Sequence, residues 1–245
     1  MSQTLDRALT ILDLVAERPR RVNEVAAELK VHASTALRLL HTLRRHGFVY
    51  ELIDHHYRLG PAMFRLGFQA LADIDLRAVA RPHMEELNNL TAETVHLGVL
   101  GGSQVVYVEK VMAKHPVTML SQIGAIAPIH CTGVSKAILA YLPENKRARL
   151  IAGHTYTRFT EHTLLSPEAF LADLAETRRR GFAHDNQEHS IGIHCVAAPI
   201  LAGDDEVLGA LSISAPVSRI DEAALLGYVP ALKETVGKIS GHFGR

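Results

Sequence analysis

The first sixty residues carry the hydrophobic spacing of three helices and then of two short strands. Apolar side chains three and four positions apart predict helices over residues 4–17, about 22–29 and about 34–46. Short apolar segments at 48–50 and 57–59 predict two strands around a polar turn. This order of elements is typical of a winged helix-turn-helix domain.

Residues with turn and capping preferences mark the ends of these helices. Pro19 ends the first helix, because proline cannot continue one. Lys30 and Val31 form the tight turn between the second and the third helix. Ser34 is a residue type that caps a helix N-terminus, and Gly47 is one that closes a C-terminus.

A more apolar helix is expected after the wing. Pro61 suits a first helical turn. The apolar side chains behind it are Met63, Phe64, Leu66, Phe68 and Leu71. We expect this linker helix to pack against a partner helix or the neighbouring domain, and Asp75 to cap the helix that follows. The apolar positions of that next helix are Leu76, Val79, Ala80, Met84, Leu87 and Leu90.

Beyond residue 76, strand-like segments alternate with helical ones. The predicted strands are 94–100, 104–109, 117–123, 182–188, 193–200 and 207–215. The predicted helices are 133–141, 166–180 and 221–243, the last one capped by Asp221. Hairpin connections with helices between them predict an α+β domain in which helices pack on an antiparallel sheet.

The composition is that of an ordinary globular chain, with 47% hydrophobic and 21% charged residues. No apolar run approaches the length of a membrane helix, and charges interrupt the first 30 residues where a signal peptide would be apolar. Two cysteines cannot form a disulfide framework. We therefore expect a cytoplasmic protein that does not contact a membrane.

The charges are balanced overall, at 26 basic and 26 acidic residues, but unevenly placed. Residues 29–50 contain four basic side chains and no acidic one, so this segment can approach DNA phosphates without repulsion. A solvated helix face would have the same composition. Ser34 and Thr35 can bond phosphate or base, and Arg38 can make a bidentate contact with guanine. The two small residues could also serve only as helix caps.

Polar residues of the second domain are predicted to meet on one face of its sheet. Strand alternation places Ser212 and Ser214 together. Cys195 joins them if its strand is in register, and Asp185 comes from the strand before. Gly133 begins a helix whose free N–H groups and dipole suit a carboxylate, and it would let a ligand approach the backbone. The alternatives are an exposed edge strand for the serines, a buried apolar role for Cys195 and a turn role for Asp185.

Several segments resemble one protein family. RALTILDLV, VNEVAAELKVHASTALRLLHTLRRHGFV and YRLGPAMFRLG resemble the winged helix of the IclR family of bacterial transcription regulators. PIHCTGVSKAILA, GFAHDNQEHSIGIHCVAAPI and GALSISAPVSRI resemble the effector-binding domain of that family, so the resemblance covers nearly the whole chain. Ser135 replaces a usual glycine, and Gln187 stands where related regulators often have glutamate.

The resemblance implies a sequence-specific DNA-binding regulator of catabolic genes, more commonly a repressor than an activator. It implies an N-terminal winged helix-turn-helix domain at 1–61, a linker helix at 62–75 and a GAF-like effector-binding domain at 76–245. The expected partners are double-stranded promoter DNA, a small organic acid such as an oxo acid or a sugar acid, and further copies of the chain in a homodimer or homotetramer. No cofactor, metal or catalytic residue is expected.

The resemblance also implies a role for particular residues. Those expected to contact DNA are His32, Ser34, Thr35, Arg38, His41, Arg44, Arg45 and Arg58. Those expected to contact the effector are Gly133, Val134, Asp185, Cys195, Ser212 and Ser214.

The sequence is compatible with two other classes of function. A metal-responsive regulator would use the ligands His96, His130, His184, His189, His194, Cys131 and Cys195. Opposite orientation of His194 and Cys195 on one strand argues against a shared ion. A small-carboxylate enzyme is the weaker alternative, because the chain has no GxSxG, HExxH, P-loop or GxGxxG motif.

Overall fold

The computed structural model of the chain describes residues 2–72, 76–115 and 121–244, without the side chains of residues 68–72 and 204. The chain divides into two compact units, Met1–Asp75 and Leu76–Arg245. Within the described residues, no helix has the length and apolar character needed to cross a membrane.

The first unit is a helical domain with a small sheet. Its helices are α1 (Gln3–Glu17), α2 (Val22–Glu28), α3 (Ala33–Arg45) and α4 (Pro61–Ala72). Its strands are β1 (Arg20–Arg21), β2 (Val49–Glu51) and β3 (His56–Leu59), and β3 lies between the other two in an antiparallel sheet. The winged helix-turn-helix prediction is confirmed, and β1 is a strand that the sequence did not predict.

One apolar cluster joins the first three helices to the wing. Its buried side chains are Ile11, Val15, Val25, Ala26, Ala36, Leu39, Leu40, Val49 and Tyr57. Since α3 contributes three of these from one side, its opposite side faces solvent.

The turns of this unit follow most of the capping signals. Lys30 has a φ of 52°, and the N–H of Val31 donates to the carbonyl of Ala26 at 3.0 Å. Gly47 has a φ of 76°, the left-handed conformation that commonly ends a helix. The prediction that Ser34 caps α3 is wrong. The helix begins at Ala33, with His32 at the capping position, so Ser34 lies inside the first turn.

The second unit contains a six-stranded antiparallel sheet. Its strands are β4 (Thr94–Gly101), β5 (Gln104–Val111), β6 (Ile126–Ala127), β7 (Ala183–Asn186), β8 (Ile193–Leu201) and β9 (Val207–Pro216). They are ordered β6-β5-β4-β9-β8-β7. The prediction of an α+β domain with an antiparallel sheet is confirmed.

Helices cover both faces of this sheet. They are α5 (Leu76–Thr91), α6 (Gly133–Tyr141), α7 (Glu144–Ala152), α8 (Pro167–Arg180), α9 (Glu222–Gly227) and α10 (Val229–Gly241), with a short 3-10 helix at Gly203–Asp205. Leu211, Ile213 and Ala215 are fully buried on the face that α5 and α10 cover. On the other face, small residues such as Ala197 allow α6 to pack close to the strands.

Two sequence predictions in this unit need correction. Leu90 was predicted to lie on the apolar face of α5 but is 67% exposed. The last buried residue of this helix is Thr91, whose hydroxyl donates to the carbonyl of Leu87. Residues 117–120 of the predicted strand 117–123 lie outside the described residues, and 121–123 are not in a strand. The edge strand is β6, whose two residues are too few to show alternation.

Other differences concern helix ends. Helix α7 was not predicted, since its nine residues contain few apolar positions. The predicted final helix is two helices that meet at Tyr228, next to Pro230 in the first turn of α10. The cap predicted at Asp221 is confirmed, whereas Asp75 lies outside the described residues. The hydroxyl of Ser166 caps the start of α8 by accepting from the N–H of Ala169.

Candidate functional site

The exposed side of α3 forms a shallow basic groove. Its lining residues are Ser34, Leu37, Arg38, His41, Thr42, Arg44 and Arg45. Five of the eight predicted DNA-contact residues line this groove. Of the other three, His32 is exposed at the start of α3, Thr35 is half-buried and Arg58 is exposed on β3.

One of these arginines is held by the wing. Arg44 forms an ion pair with Glu51 on β2, and Glu51 also accepts a hydrogen bond from His55 at 2.9 Å. The bond from His55 lowers the pKa of Glu51, so this carboxylate stays ionised beside Arg44. Arg44 thus ties α3 to the wing, and part of its charge is neutralised within the protein.

A cavity of about 380 Å³ lies beside the start of α6. Its described lining residues are His96, Tyr107, Ser121, Ala125, Ile126, Thr132, Gly133, Val134, Asp185, His189, Ser190, Ile193, Cys195, Ser212 and Ser214. All six residues predicted to contact an effector therefore line one cavity.

The sheet register brings the polar side chains together. Cys195 on β8 pairs with Asp185 on β7 and with Ser214 on β9. In the neighbouring row, Ser212 pairs with His96 on β4. Directly paired residues of an antiparallel sheet share a face, so both rows point toward α6.

The start of α6 closes the cavity on one side. A side chain at Gly133 would place its Cβ 3.2 Å from the Cβ of Ala197 and 3.5 Å from that of Cys195. Glycine at this position therefore allows close packing of α6 on β8. The free N–H groups of the first turn are at the cavity, where they provide hydrogen-bond donors for an anion.

Ser135, which stands where related regulators usually have glycine, fits this local structure. Its hydroxyl donates to the carbonyl of Ala127 at 3.1 Å and accepts from the hydroxyl of Thr132 at 2.8 Å. The extra side chain is fully buried inside α6 and links the helix to β6.

Two ring-bearing residues that line the cavity, His96 and Tyr107, were not among the predicted effector contacts. The Nε2 atom of His96 is 2.7 Å from the hydroxyl of Ser121, and its ring centroid is 5.1 Å from that of Tyr107. Burial lowers the pKa of His96 to about 3, so the imidazole is neutral. The sequence showed the alternation of the strand that contains His96, but it did not show that this strand pairs with β9.

Asp185 is the buried carboxyl group of the cavity. It is 4% exposed, and its Oδ1 accepts a hydrogen bond from the backbone N–H of Glu188 at 2.8 Å. Burial, with the nearby charge of Glu188, raises the pKa of Asp185 to about 7.

A buried ion cluster supports the loop behind Asp185. The Nζ of Lys136, on α6, is 2.6 Å from Glu188 Oε1, 3.2 Å from Asp173 Oδ2 and 2.5 Å from the carbonyl of His184. Burial opposes the charge of Lys136, but the two carboxylates outweigh it and raise its pKa.

The cysteines are not poised for nucleophilic chemistry. Both are free and buried. Burial raises the pKa of the Cys195 thiol and also that of Cys131, so both stay protonated near neutral pH.

The candidate metal ligands are dispersed. His184 and His194 lie on the sheet face opposite to Cys195, as the register with Val196 and Ala215 shows. His130 bonds to His154 at 2.7 Å. Across the ranges that the structure describes, no group of three His, Cys, Asp or Glu side chains is arranged to hold a metal ion.

Comparison with known proteins gives the same two-part division. Residues 4–52 match the family described as IclR helix-turn-helix domain, and residues 68–241 match the family described as bacterial transcriptional regulator IclR C-terminal. The transcriptional regulator XynR of Escherichia coli (strain K12) is 36% identical over 235 residues, covering 95% of this chain and 93% of XynR.

Further relatives agree. The transcriptional repressor IclR of the same organism is 35% identical over 225 residues, covering 90% of this chain and 82% of the repressor. The crystal structure of IclR from Thermotoga maritima has 30% identity and a TM-score of 0.83, with both chains fully covered. Fold and similarity together define a two-domain transcription regulator. The chain belongs to the IclR family of bacterial transcriptional regulators.

Proposed function

We propose that the chain is a repressor of catabolic genes whose DNA binding is controlled by a small organic acid held in the cavity of the second unit. The observation that carries this proposal is the convergence of serine hydroxyls, the Asp185 carboxyl and the start of α6 on one cavity. Its volume is near the lower end for ligand pockets, which suits an oxo acid or a sugar acid.

The acid would be held mainly by hydrogen bonds. The carboxylate would accept from the N–H groups of Gly133 and Val134, where the helix dipole favours negative charge. Ser212 and Ser214 would bond the carboxylate or the hydroxyl and oxo groups of the rest of the molecule.

The same geometry speaks against catalysis. The hydroxyl of Ser214 is 3.4 Å from Nδ1 of His96. A general base works best with a pKa near the operating pH, and that of His96 is about 3. A serine nucleophile would thus lack an effective base here.

On the DNA side, α3 would enter the major groove. Ser34, Arg38 and His41 would contact base edges, while Arg45 and Arg58 would contact phosphates. Acid binding would favour one conformation of the regulator and so lower its affinity for DNA.

We also propose a homodimer formed through the first unit. Leu5 and Leu9 on α1 are 60% and 55% exposed, and Phe64 on α4 is 67% exposed. Such exposed apolar side chains commonly mark a protein interface. Sedimentation should show a dimer for the wild-type chain and a monomer for Leu9→Glu.

The proposal is tested in two steps. Thermal-shift measurements with glyoxylate, pyruvate, gluconate and 4-hydroxybenzoate should find an acid that stabilises the wild-type chain. Ser212→Ala should lose that stabilisation, and Ser103→Ala, at an exposed serine outside the cavity, should keep it.

The second step measures DNA binding on duplexes selected from a random-sequence pool. Arg38→Ala should lose DNA binding but keep the acid-induced thermal shift, and Arg149→Ala, which removes an exposed charge on α7, should keep both. If none of the four acids stabilises the chain, the acid-receptor proposal is wrong.

A further inference from the structure

The cavity contains an acidic group but no cationic side chain to accompany it. Among the described lining residues there is no lysine or arginine. Residues 116–120 are Pro, Val, Thr, Met and Leu, so none of them can supply a charge. An ionised acid and an ionised Asp185 in one small cavity would repel each other.

Burial and the charge of Glu188 raise the pKa of Asp185 by more than the charge of the buried lysine behind the cavity, Lys136, lowers it. An ammonium group has three N–H donors. Lys136 donates to Glu188 and to the carbonyl of His184, and it forms an ion pair with Asp173 at 3.2 Å. Glu188 and Asp173 bring two carboxylates to one ammonium, so the cluster adds negative charge behind Asp185.

The side chains of β4 and β5 that line the cavity, His96 and Tyr107, carry no positive charge. His96 is neutral, and burial raises the pKa of the Tyr107 hydroxyl, which therefore stays protonated. The ammonium of Lys110 donates to the backbone carbonyl of Ser121 at 2.7 Å and is not among the lining groups.

The remaining titratable groups lie on β8, before α6 and in the loop after β7. The thiols of Cys195 and Cys131 are neutral. His189 lines the cavity, and burial lowers its pKa; the experiment must distinguish a proton on this ring from one on Asp185. Asp185 is held in place at Oδ1, which accepts the backbone N–H of Glu188.

We propose that the acid binds together with one proton, which Asp185 carries and donates in a hydrogen bond to the carboxylate of the ligand. The inference rests on the acid receptor proposed above. Above neutral pH, the free protein takes this proton from solvent as the acid enters. The regulator would then respond to the acid and to the internal pH together.

Calorimetric titration of the full chain with glyoxylate, pyruvate, gluconate and 4-hydroxybenzoate tests this proposal. Their carboxyl groups are ionised throughout the range of pH 6 to pH 8.5, so any change in affinity comes from the protein. With a pKa of about 7 for Asp185, the dissociation constant should rise roughly 30-fold from pH 6 to pH 8.5. Titrations at pH 8.5 in two buffers of different ionisation enthalpy should show uptake of about one proton per acid bound.

The matched variant is Asp185→Asn, because an amide keeps a donor and an acceptor at this position without a titrating proton. It should bind the acid with a dissociation constant that changes less than about twofold over the same range, and with no proton uptake. Ser212→Ala should bind more weakly at every pH and keep the proton uptake.

Two results would overturn the inference. One is an acid that binds the wild-type chain with the same affinity at both pH values and without proton uptake, which would leave the acid receptor itself standing. The other is proton uptake that persists in Asp185→Asn, which would assign the proton to another group such as His189. If none of the four acids binds at either pH, both proposals fail.

Discussion

Asp185 and Glu188 are joined by a hydrogen bond of 2.8 Å from the backbone N–H of Glu188 to Oδ1 of Asp185. The side chain of Glu188 turns the other way and holds Lys136. A single turn of chain therefore links the floor of the cavity to the buried ion cluster behind it. The position of Asp185 depends on that cluster as well as on β7.

The raised pKa of Asp185 has a consequence for stability. In the unfolded chain this carboxyl ionises near its ordinary pKa of about 4, but in the folded chain only near 7. The unfolded state thus releases the proton first, and the free energy of unfolding falls as pH rises through this window.

We therefore expect Asp185→Asn to gain stability relative to the wild type between about pH 4 and pH 7, by about 1.4 kcal/mol per pH unit at most. Urea unfolding at several pH values measures this difference. A constant difference across the window would show that Asp185 has an ordinary pKa.

Removing the buried lysine should be strongly destabilising. Lys136→Met would leave the buried Glu188 and the half-buried Asp173 without their cation, at a cost of about 3–5 kcal/mol. Lys146→Met, on the exposed side of α7, should change the free energy of unfolding by less than about 0.5 kcal/mol. Chemical denaturation of both variants measures the contrast, and equal effects would contradict a structural role for the cluster.

Removing the ion pair between Arg44 and Glu51 should increase the affinity for DNA. Glu51→Gln would free the charge of Arg44 and remove a carboxylate near the phosphates. The variant should bind DNA more tightly, with a plot of log affinity against log salt that is steeper by about one. Asp6→Asn removes an exposed acidic charge from α1 and serves as the control. An unchanged slope in Glu51→Gln would show that Arg44 does not approach phosphate.

Two glycines provide a matched test of helix packing. Gly133→Ala would crowd Ala197 and should cost about 1–3 kcal/mol, with loss of acid binding as α6 moves away from the sheet. Gly237→Ala has no atom within 4 Å of the new Cβ and lies in helix α10, so it should stabilise by about 0.5–1 kcal/mol. Thermal unfolding should show a lower melting temperature for Gly133→Ala and a higher one for Gly237→Ala than for the wild type.

Much of the fold could be predicted, because its signals are local. Ser166, Pro167 and Gly181 mark both ends of α8 within a few residues of sequence, and the structure agrees. The turn at Lys30 is similarly local. The elements that were missed or misplaced give weak signals, since β1 and β6 have two residues each.

The site was only partly predictable for a related reason. Alternation along a single strand was enough to group Ser212 with Ser214. The contribution of His96 depends on how β4 pairs with β9, and the two residues paired there are more than a hundred positions apart in the chain. The roles of Lys136 and Glu188 depend in the same way on contacts between distant elements.

The most direct test of a regulator controlled by an acid is its affinity for DNA with and without the ligand. Fluorescence anisotropy on a duplex selected from a random pool, with the acid that stabilises the chain at saturation, should show affinity at least about fivefold lower than without the acid. The same acid should leave the affinity of Ser212→Ala for that duplex unchanged at the same concentration. Tight binding of the acid with no change in the DNA affinity of the wild-type chain would contradict the proposed control.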